Sequence, residues 1–184
     1  MARVFLFDGT GLLYRAYFAV DQSLSTTTGI PTGALFGLTR MLIKFVKENI
    51  EIDEDYCAFV IDVKGGSTYR KELFEQYKAH RPETPEPLLK QIEYVSELVE
   101  SFGIKLLKQT GYEADDIIAT LVKRFKEQKE LYGFSEINIV TSDKDLLQLV
   151  DEDVSVWRVE RGVTDIKKYT AKEVFEKYEV TPEQ

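Results

Sequence analysis

One cysteine and one histidine are all that 184 residues offer to thiol and imidazole chemistry. Cys57 alone excludes an internal disulfide and a cysteine-clustered zinc site. Its place in an apolar stretch reads as packing rather than redox chemistry. His80 alone excludes a three-histidine metal site and argues against a Ser-His-Asp triad. No apolar run approaches the roughly 18–20 residues that a membrane span needs. Arg3 is followed at once by the strand-like run Val4-Phe5-Leu6-Phe7, which leaves no room for a signal peptide's apolar segment. A cytoplasmic location with no membrane partner is expected. Internal repeats and low-complexity linkers are also lacking. Proline is scarce, yet Pro82, Pro85 and Pro87 fall within six residues of one another. Any chemistry here has to be carried by carboxylates.

What is present supports one folded domain: 43% of residues are hydrophobic and 30% charged, enough to bury a core. Thirty-two acids against 24 lysines and arginines give a net charge of −8. The imbalance is local. Residues 1–81 hold 10 basic and 10 acidic side chains, and residues 82–184 hold 14 and 22. The stretch 64–81 runs the other way, with Lys64, Arg70, Lys71, Lys78 and Arg81 against Glu72 and Glu75. An acidic total argues weakly against nucleic acid, but a local basic patch can outweigh it.

Strand and helix signals alternate. Residues 3–8 are apolar and β-prone, ending in an Asp8-Gly9-Thr10 turn. Thr32 reads as the N-cap of an amphipathic helix to about Asn49, with Leu35, Phe36, Leu38, Met41, Leu42, Phe45 and Val46 on its stripe. A buried strand is expected over 55–63. Thr84 opens a helix with Pro85 at its first position, stopping at Gly103. A short strand at 104–108 leads into a helix over 112–132, and another strand covers 136–140. A short helix over 143–150, a hairpin of 154–159 with 163–166, and a last helix over 171–178 complete the chain. This alternation predicts an α/β fold with a mostly parallel central sheet flanked by helices.

In such sheets ligands bind beyond the carboxyl ends of the strands. Asp8 ends the first strand and Asp62 the second. Glu113, Asp115 and Asp116 follow the third, and Asp143 and Asp145 follow the fourth. Each acid alone has an ordinary structural use as helix cap, dipole partner or turn former. Together they place seven carboxylates from four strand ends on one sheet edge. Their mutual repulsion is relieved by hard divalent cations such as Mg²⁺ or Mn²⁺, which prefer oxygen ligands and suit phosphate chemistry. Metal-assisted phosphodiester hydrolysis is the expected reaction, and two ions can hold both the attacking and the leaving oxygen. A haloacid-dehalogenase-like phosphatase is a rival reading of Phe5-Leu6-Phe7-Asp8-Gly9-Thr10. It fits badly, with Leu6 at the nucleophile's place in one alignment and Thr10 at the general acid's place in the other.

Residues 64–87 form a long, charged connection. It leaves the strand that ends in Asp62, so Arg70, Lys71, Lys78 and Arg81 fall near the acidic edge, where they can hold phosphates. Tyr69 and Tyr77 can stack on unpaired bases. A solvated outer helix is the plain alternative. Arg15 and Lys144 can add phosphate contacts or be ordinary surface charges.

The runs Phe7-Asp8-Gly9, Tyr14-Arg15, Ile61-Asp62, Tyr69-Arg70, Tyr77-Lys78-Ala79-His80-Arg81-Pro82, Gly111-Tyr112-Glu113-Ala114-Asp115-Asp116 and Thr141-Ser142-Asp143-Lys144-Asp145-Leu146 resemble, in order and spacing, the flap endonuclease family as it occurs in the 5′ nuclease domain of bacterial DNA polymerase I. The resemblance implies a PIN-like fold with a helical arch over 64–87 and a 5′→3′ exonuclease that also cuts flaps. It implies Mg²⁺ or Mn²⁺, two ions in the complete domain. Asp8, Asp62, Glu113, Asp115, Asp116, Asp143 and Asp145 match the family's acidic cluster, and Lys78 and Arg81 its catalytic arch cations. Arg70 would assist, and Tyr77 would stack on a base. The implied partners are DNA with 5′ ends or 5′ flaps, RNA primers, and a polymerase domain in cis. The family's duplex-holding helix-hairpin-helix part and its further aspartates would follow Gln184. Two readings of the chain as it stands are therefore a nuclease catalytic part and a catalytically silent PIN-like scaffold.

Overall fold

The computed structural model describes residues 2–63, 68–80 and 82–182. Six strands form one sheet in the order β3-β2-β1-β4-β5-β6: β1 (Arg3–Asp8), β2 (Tyr56–Val60), β3 (Lys105–Leu107), β4 (Glu136–Thr141), β5 (Val154–Arg161) and β6 (Asp165–Tyr169). All neighbours pair in parallel except β5 with β6, the expected hairpin. The helices are α1 (Gly9–Ala19), α2 (Gly33–Asn49), α3 (Thr68–Leu73), α4 (Glu86–Ile92), α5 (Val95–Ser101), α6 (Ala114–Glu127), α7 (Lys129–Tyr132) and α8 (Ala171–Tyr178), with a short 3-10 helix at Asp145–Leu149.

β1 lies between β2 and β4 and is buried on both faces, which is why its sequence is continuously apolar rather than alternating. Phe5 and Phe7 face α2, each meeting the Phe45 ring edge-on at 5.9 and 5.6 Å. They join a core with Leu12, Leu38, Met41, Leu42 and Val99. Val4 and Leu6 face the other way, into a second core with Ile118, Val122, Val156 and Val174. Helices thus cover both faces of the sheet. Gly37 allows α1 and α2 to approach closely: a Cβ there would press on Ala16 and Val20. No helix among the described residues is long and apolar enough to cross a membrane.

Three local expectations need correction. The turn expected at Asp8-Gly9-Thr10 is instead the start of α1, with Asp8 as its N-cap. The helix expected from Thr84 to Gly103 is two helices separated at Glu93 and Tyr94, and Pro85 is the N-cap of α4 rather than its first residue. The helix expected over 112–132 begins at Ala114 and is interrupted at Gln128, leaving the four-residue α7 before Gly133, which adopts the left-handed conformation.

Candidate metal and nucleic-acid site

The carboxyl ends of β1, β2 and β4 and the start of α6 open onto a cleft of about 830 Å³. Asp8, Asp62, Glu113, Asp115 and Asp143 line it together with Thr10, Gly11, Tyr14, Arg15, Phe18, Lys78 and Ser142. Five of the seven sequence-predicted acids therefore meet in one space. Asp116 and Asp145 are not in its lining.

Asp8 is the most enclosed of them, 3% exposed. Its carboxylate accepts from the Gly11 N–H at 3.0 Å and from the Thr141 hydroxyl at 2.6 Å. A side chain at position 11 would collide with this carboxylate, so glycine is what lets the first turn of α1 close over it. Burial pushes the Asp8 carboxyl above its ordinary range, and the charges of Asp62 and Asp143 add to that, against the pull of the two hydrogen bonds. Asp62 is held at both ends: its N–H donates to Thr10 Oγ1 at 2.9 Å, and its Oδ1 accepts from the Ala114 N–H at 2.6 Å. That second bond fastens the start of α6 to the end of β2.

Asp115 faces the cleft half-buried. Burial first, then the charges of Asp8, Asp143 and Asp62, push its carboxyl up to about 7, while Lys78 works in the opposite direction. Asp143 is oriented by its own N–H donating to Thr141 Oγ1 at 2.9 Å, and its Oδ1 accepts from the Asp145 N–H at 2.9 Å. Thr141 thus serves two acids, and Ser142 ties the same loop to α1 by donating to the Gly11 carbonyl at 3.0 Å. Asp145 and Lys144 lie exposed on the outer side of this loop.

Arg70, Tyr77 and Lys78 converge on Glu113, whose side chain is 8% exposed. Lys78 Nζ lies 2.7 Å from Glu113 Oε1, and Arg70 Nη1 lies 3.3 Å from Oε2. Tyr77 accepts from Arg70 at 2.7 Å and donates to Glu113 Oε2 at 3.0 Å. Arg70 also pairs with Asp116, which in turn accepts from the Glu113 N–H at 3.0 Å. Lys78 adopts a left-handed backbone, φ 56°, a conformation that costs a non-glycine residue on the order of 1 kcal/mol. The Tyr77 ring carries Arg70 and Lys78 at 5.5 and 5.1 Å from its centroid. Lys71 is exposed on α3. Arg15 donates to the carbonyls of Gly162 at 3.0 Å and Glu160 at 2.8 Å, fixing α1 to the β5–β6 turn. Arg81 lies outside the described residues.

Chemically, this is a set of oxygen donors with no soft ligand among the described lining residues, a donor set that suits divalent cations. Among the described residues no group of three or more such side chains is already arranged as an ion cage. The strand-end rule finds the acids. It misses Thr10, Thr141 and Ser142, which orient them, and Phe18. The triplet Thr141-Ser142-Asp143 after an apolar strand is the one sequence signal that could have found the hydroxyls.

Comparison with known proteins gives the family. The family described as "5'-3' exonuclease, N-terminal resolvase-like domain" matches residues 3–179. DNA polymerase I of Caldicellulosiruptor bescii is 39% identical over 99% of this chain and 20% of its own length. The 5'-3' exonuclease of Aquifex aeolicus is 36% identical over 100% of this chain and 59% of its own. The chain thus spans about a fifth of the DNA polymerase I relatives it matches. Among solved structures, a bacteriophage T5 D15 flap endonuclease in a pseudo-enzyme-product complex with DNA and metal ions superposes with a TM-score of 0.67 at 20% identity, over 97% of this chain and 61% of that one. T5 5'-exonuclease with bound zinc gives 0.64 at 18%, over 98% and 63%. These structural matches establish the PIN-like 5′ nuclease fold. With its family matched over nearly every residue, the chain belongs to the 5′-3′ exonucleases, as their N-terminal resolvase-like domain.

Proposed function

We propose that residues 1–184 are the catalytic part of a divalent-metal-dependent 5′→3′ exonuclease and flap endonuclease that hydrolyses DNA phosphodiesters at 5′ ends and 5′ flaps and removes RNA primers, with a polymerase domain in cis. The observation that carries this reading is the meeting of five carboxylates from four strand ends in one cleft, with Lys78 in its lining and Arg70 and Lys78 on Glu113. Asp8, Asp62, Glu113, Asp115 and Asp143 would hold Mg²⁺ or Mn²⁺, two ions in the complete domain, with Asp116 and Asp145 in support. Bound there, such ions supply a water nucleophile at neutral pH and positive charge for the leaving oxygen.

The chain's own residues do the rest. Lys78, on the cleft wall, holds the phosphate next to the scissile bond, and Arg81 is assigned the same task. Arg70, Lys71 and Lys144 draw the strand in, Arg15 steadies α1 beside it, and Tyr77 offers a ring to a base. This grip requires the arch to release Glu113. The arch over 64–87 is read as the element that places the 5′ strand.

A silent scaffold that binds metal or DNA weakly is the second reading, favoured by the absence of a preformed ion cage among the described residues. Cleavage of a 5′-labelled flap DNA in Mn²⁺ or Mg²⁺, beside a chelator control and Asp115→Asn, separates the two. Metal-dependent cutting that falls at least about 100-fold in the variant is expected, since the variant removes a charge on which transition-state stabilisation depends. Weak Mn²⁺ binding without any cutting selects the scaffold.

A further inference from the structure

Resting on the nuclease reading above, we propose that Phe18 forms a stacking subsite for an unpaired nucleobase beside the scissile phosphate. α1 has two sides. Leu12, Leu13, Ala16 and Tyr17 are buried in the core, while Tyr14, Arg15 and Phe18 line the acidic cleft. Phe18 is 67% exposed. Of the exposed large apolar side chains among the described residues, it alone lines this cleft.

A few neighbours set what the open Phe18 ring can receive. Tyr14 lies one helical turn earlier on the same face, and its hydroxyl is fixed to Thr84. Tyr17, 6% exposed, braces the Phe18 ring edge-on at 5.1 Å and 80°. Arg15 pins the helix through the carbonyls of Glu160 and Gly162. The ring is therefore presented by a rigid element rather than a loop.

The same cleft holds Asp8, Asp62, Asp115 and Asp143. A phosphate would be held by charged groups of the cleft, and the uncharged Phe18 ring is left for the flat, neutral part of the nucleotide. The cleft, at about 830 Å³, is in the size range of small-ligand sites, roughly 300–1,000 Å³, so base and phosphate fit it together. Tyr77, the stacking residue expected from sequence, has cations over its ring and its hydroxyl engaged. Phe18 has an open face.

The test uses the full chain in Ca²⁺ with a flap DNA carrying 2-aminopurine at the unpaired nucleotide next to the junction. The wild type should quench the probe. Phe18→Ala should lose the quench and bind about 5- to 100-fold more weakly, the weight of one stacked base; Phe18→Gln should do the same, and Phe18→Tyr should restore both. Removing the probed base to leave an abasic site should weaken the wild type equally and make Phe18→Ala no worse. Unchanged affinity and quenching in Phe18→Ala, or an equal loss on intact and abasic DNA, overturns the subsite and points to a contact with another polypeptide or with the sugar-phosphate chain. A wild type that neither binds nor cuts flap DNA overturns the nuclease reading itself; a wild type that cuts, with an indifferent Phe18→Ala, overturns only the subsite.

Discussion

Asp8 and Asp115 have charges that folding works against. A carboxyl whose folded pKa is raised holds its proton to higher pH, so a cation that needs the charged form must displace that proton. Burial and the neighbouring acids bring Asp115 to about 7, and burial raises Asp8 as well. Mn²⁺ affinity, measured by calorimetry in buffers of different ionisation enthalpy, should therefore rise as pH climbs from 6 to 8. Proton release on binding should be greatest at the acid end of that range. Asp115→Asn should weaken binding and flatten the dependence. Affinity independent of pH across this window would show that Asp115 is not a ligand. The hydroxyl of Thr141 matters to the same balance because it bonds both Asp8 and the Asp143 N–H, a double use that only the folded loop creates.

At the scale of elements, α6 and the arch share Glu113. Two cations and a tyrosine hydroxyl occupy its oxygens, so metal and arch compete for the same carboxylate. Tryptic cleavage at Arg70, Lys71 and Lys78 should be faster in Mn²⁺ than in chelator, and Glu113→Gln should make it fast in both. Lys78→Ala should weaken flap binding without lowering Mn²⁺ affinity. Equal digestion with and without metal would mean that the arch keeps Glu113 when the ion arrives.

The elements also show what could be read from the sequence. The parallel strands were legible because they are apolar on both faces, and strand ends fix where the acids fall. α1 was not legible, because Asp8 is at once the last strand residue and the helix N-cap, with no loop to separate the two periods. Arg15 reads in sequence as a phosphate contact or an ordinary surface charge, but its partners are carbonyls about 145 residues away. Phe18 lies in that same helix and draws no reading from the sequence. Its exposure depends on how α1 crosses the sheet, and that is a tertiary fact.

Across the whole molecule, the two edges of the sheet respond to pH with opposite sign. At the amino edge, Asp55 accepts from the Arg3 N–H at 3.1 Å, from its Nε at 3.1 Å and Nη2 at 2.6 Å, and from the Glu51 N–H at 2.9 Å. Its side chain is 2% exposed. Burial pushes this carboxyl up, but the Arg3 hydrogen bonds and charge and the Glu51 N–H outweigh that and hold it below the ordinary value. Its stabilisation is present above the unfolded pKa and is lost as pH falls through the folded one. Asp115, at the carboxyl edge, does the reverse: its contribution is complete below the unfolded value near 3.8 and is lost as pH rises toward 7. In chelator, the melting temperature should climb out of the acid range as Asp55 ionises, pass through a maximum, and decline toward neutrality as the cleft acids charge against one another. Mn²⁺ should abolish the decline and leave the acid limb in place. Asp115→Asn should reduce the decline without metal, leaving the part due to Asp8. Asp55→Asn should flatten the acid limb and lower stability by about 2–3 kcal/mol, as expected for removing one partner of a hydrogen-bonded ion pair, or roughly 5–10 °C for a chain of this size. If the melting temperature in chelator instead rose steadily to pH 8, the cleft acids would not be repelling one another, and the requirement for a cation would lose its physical basis.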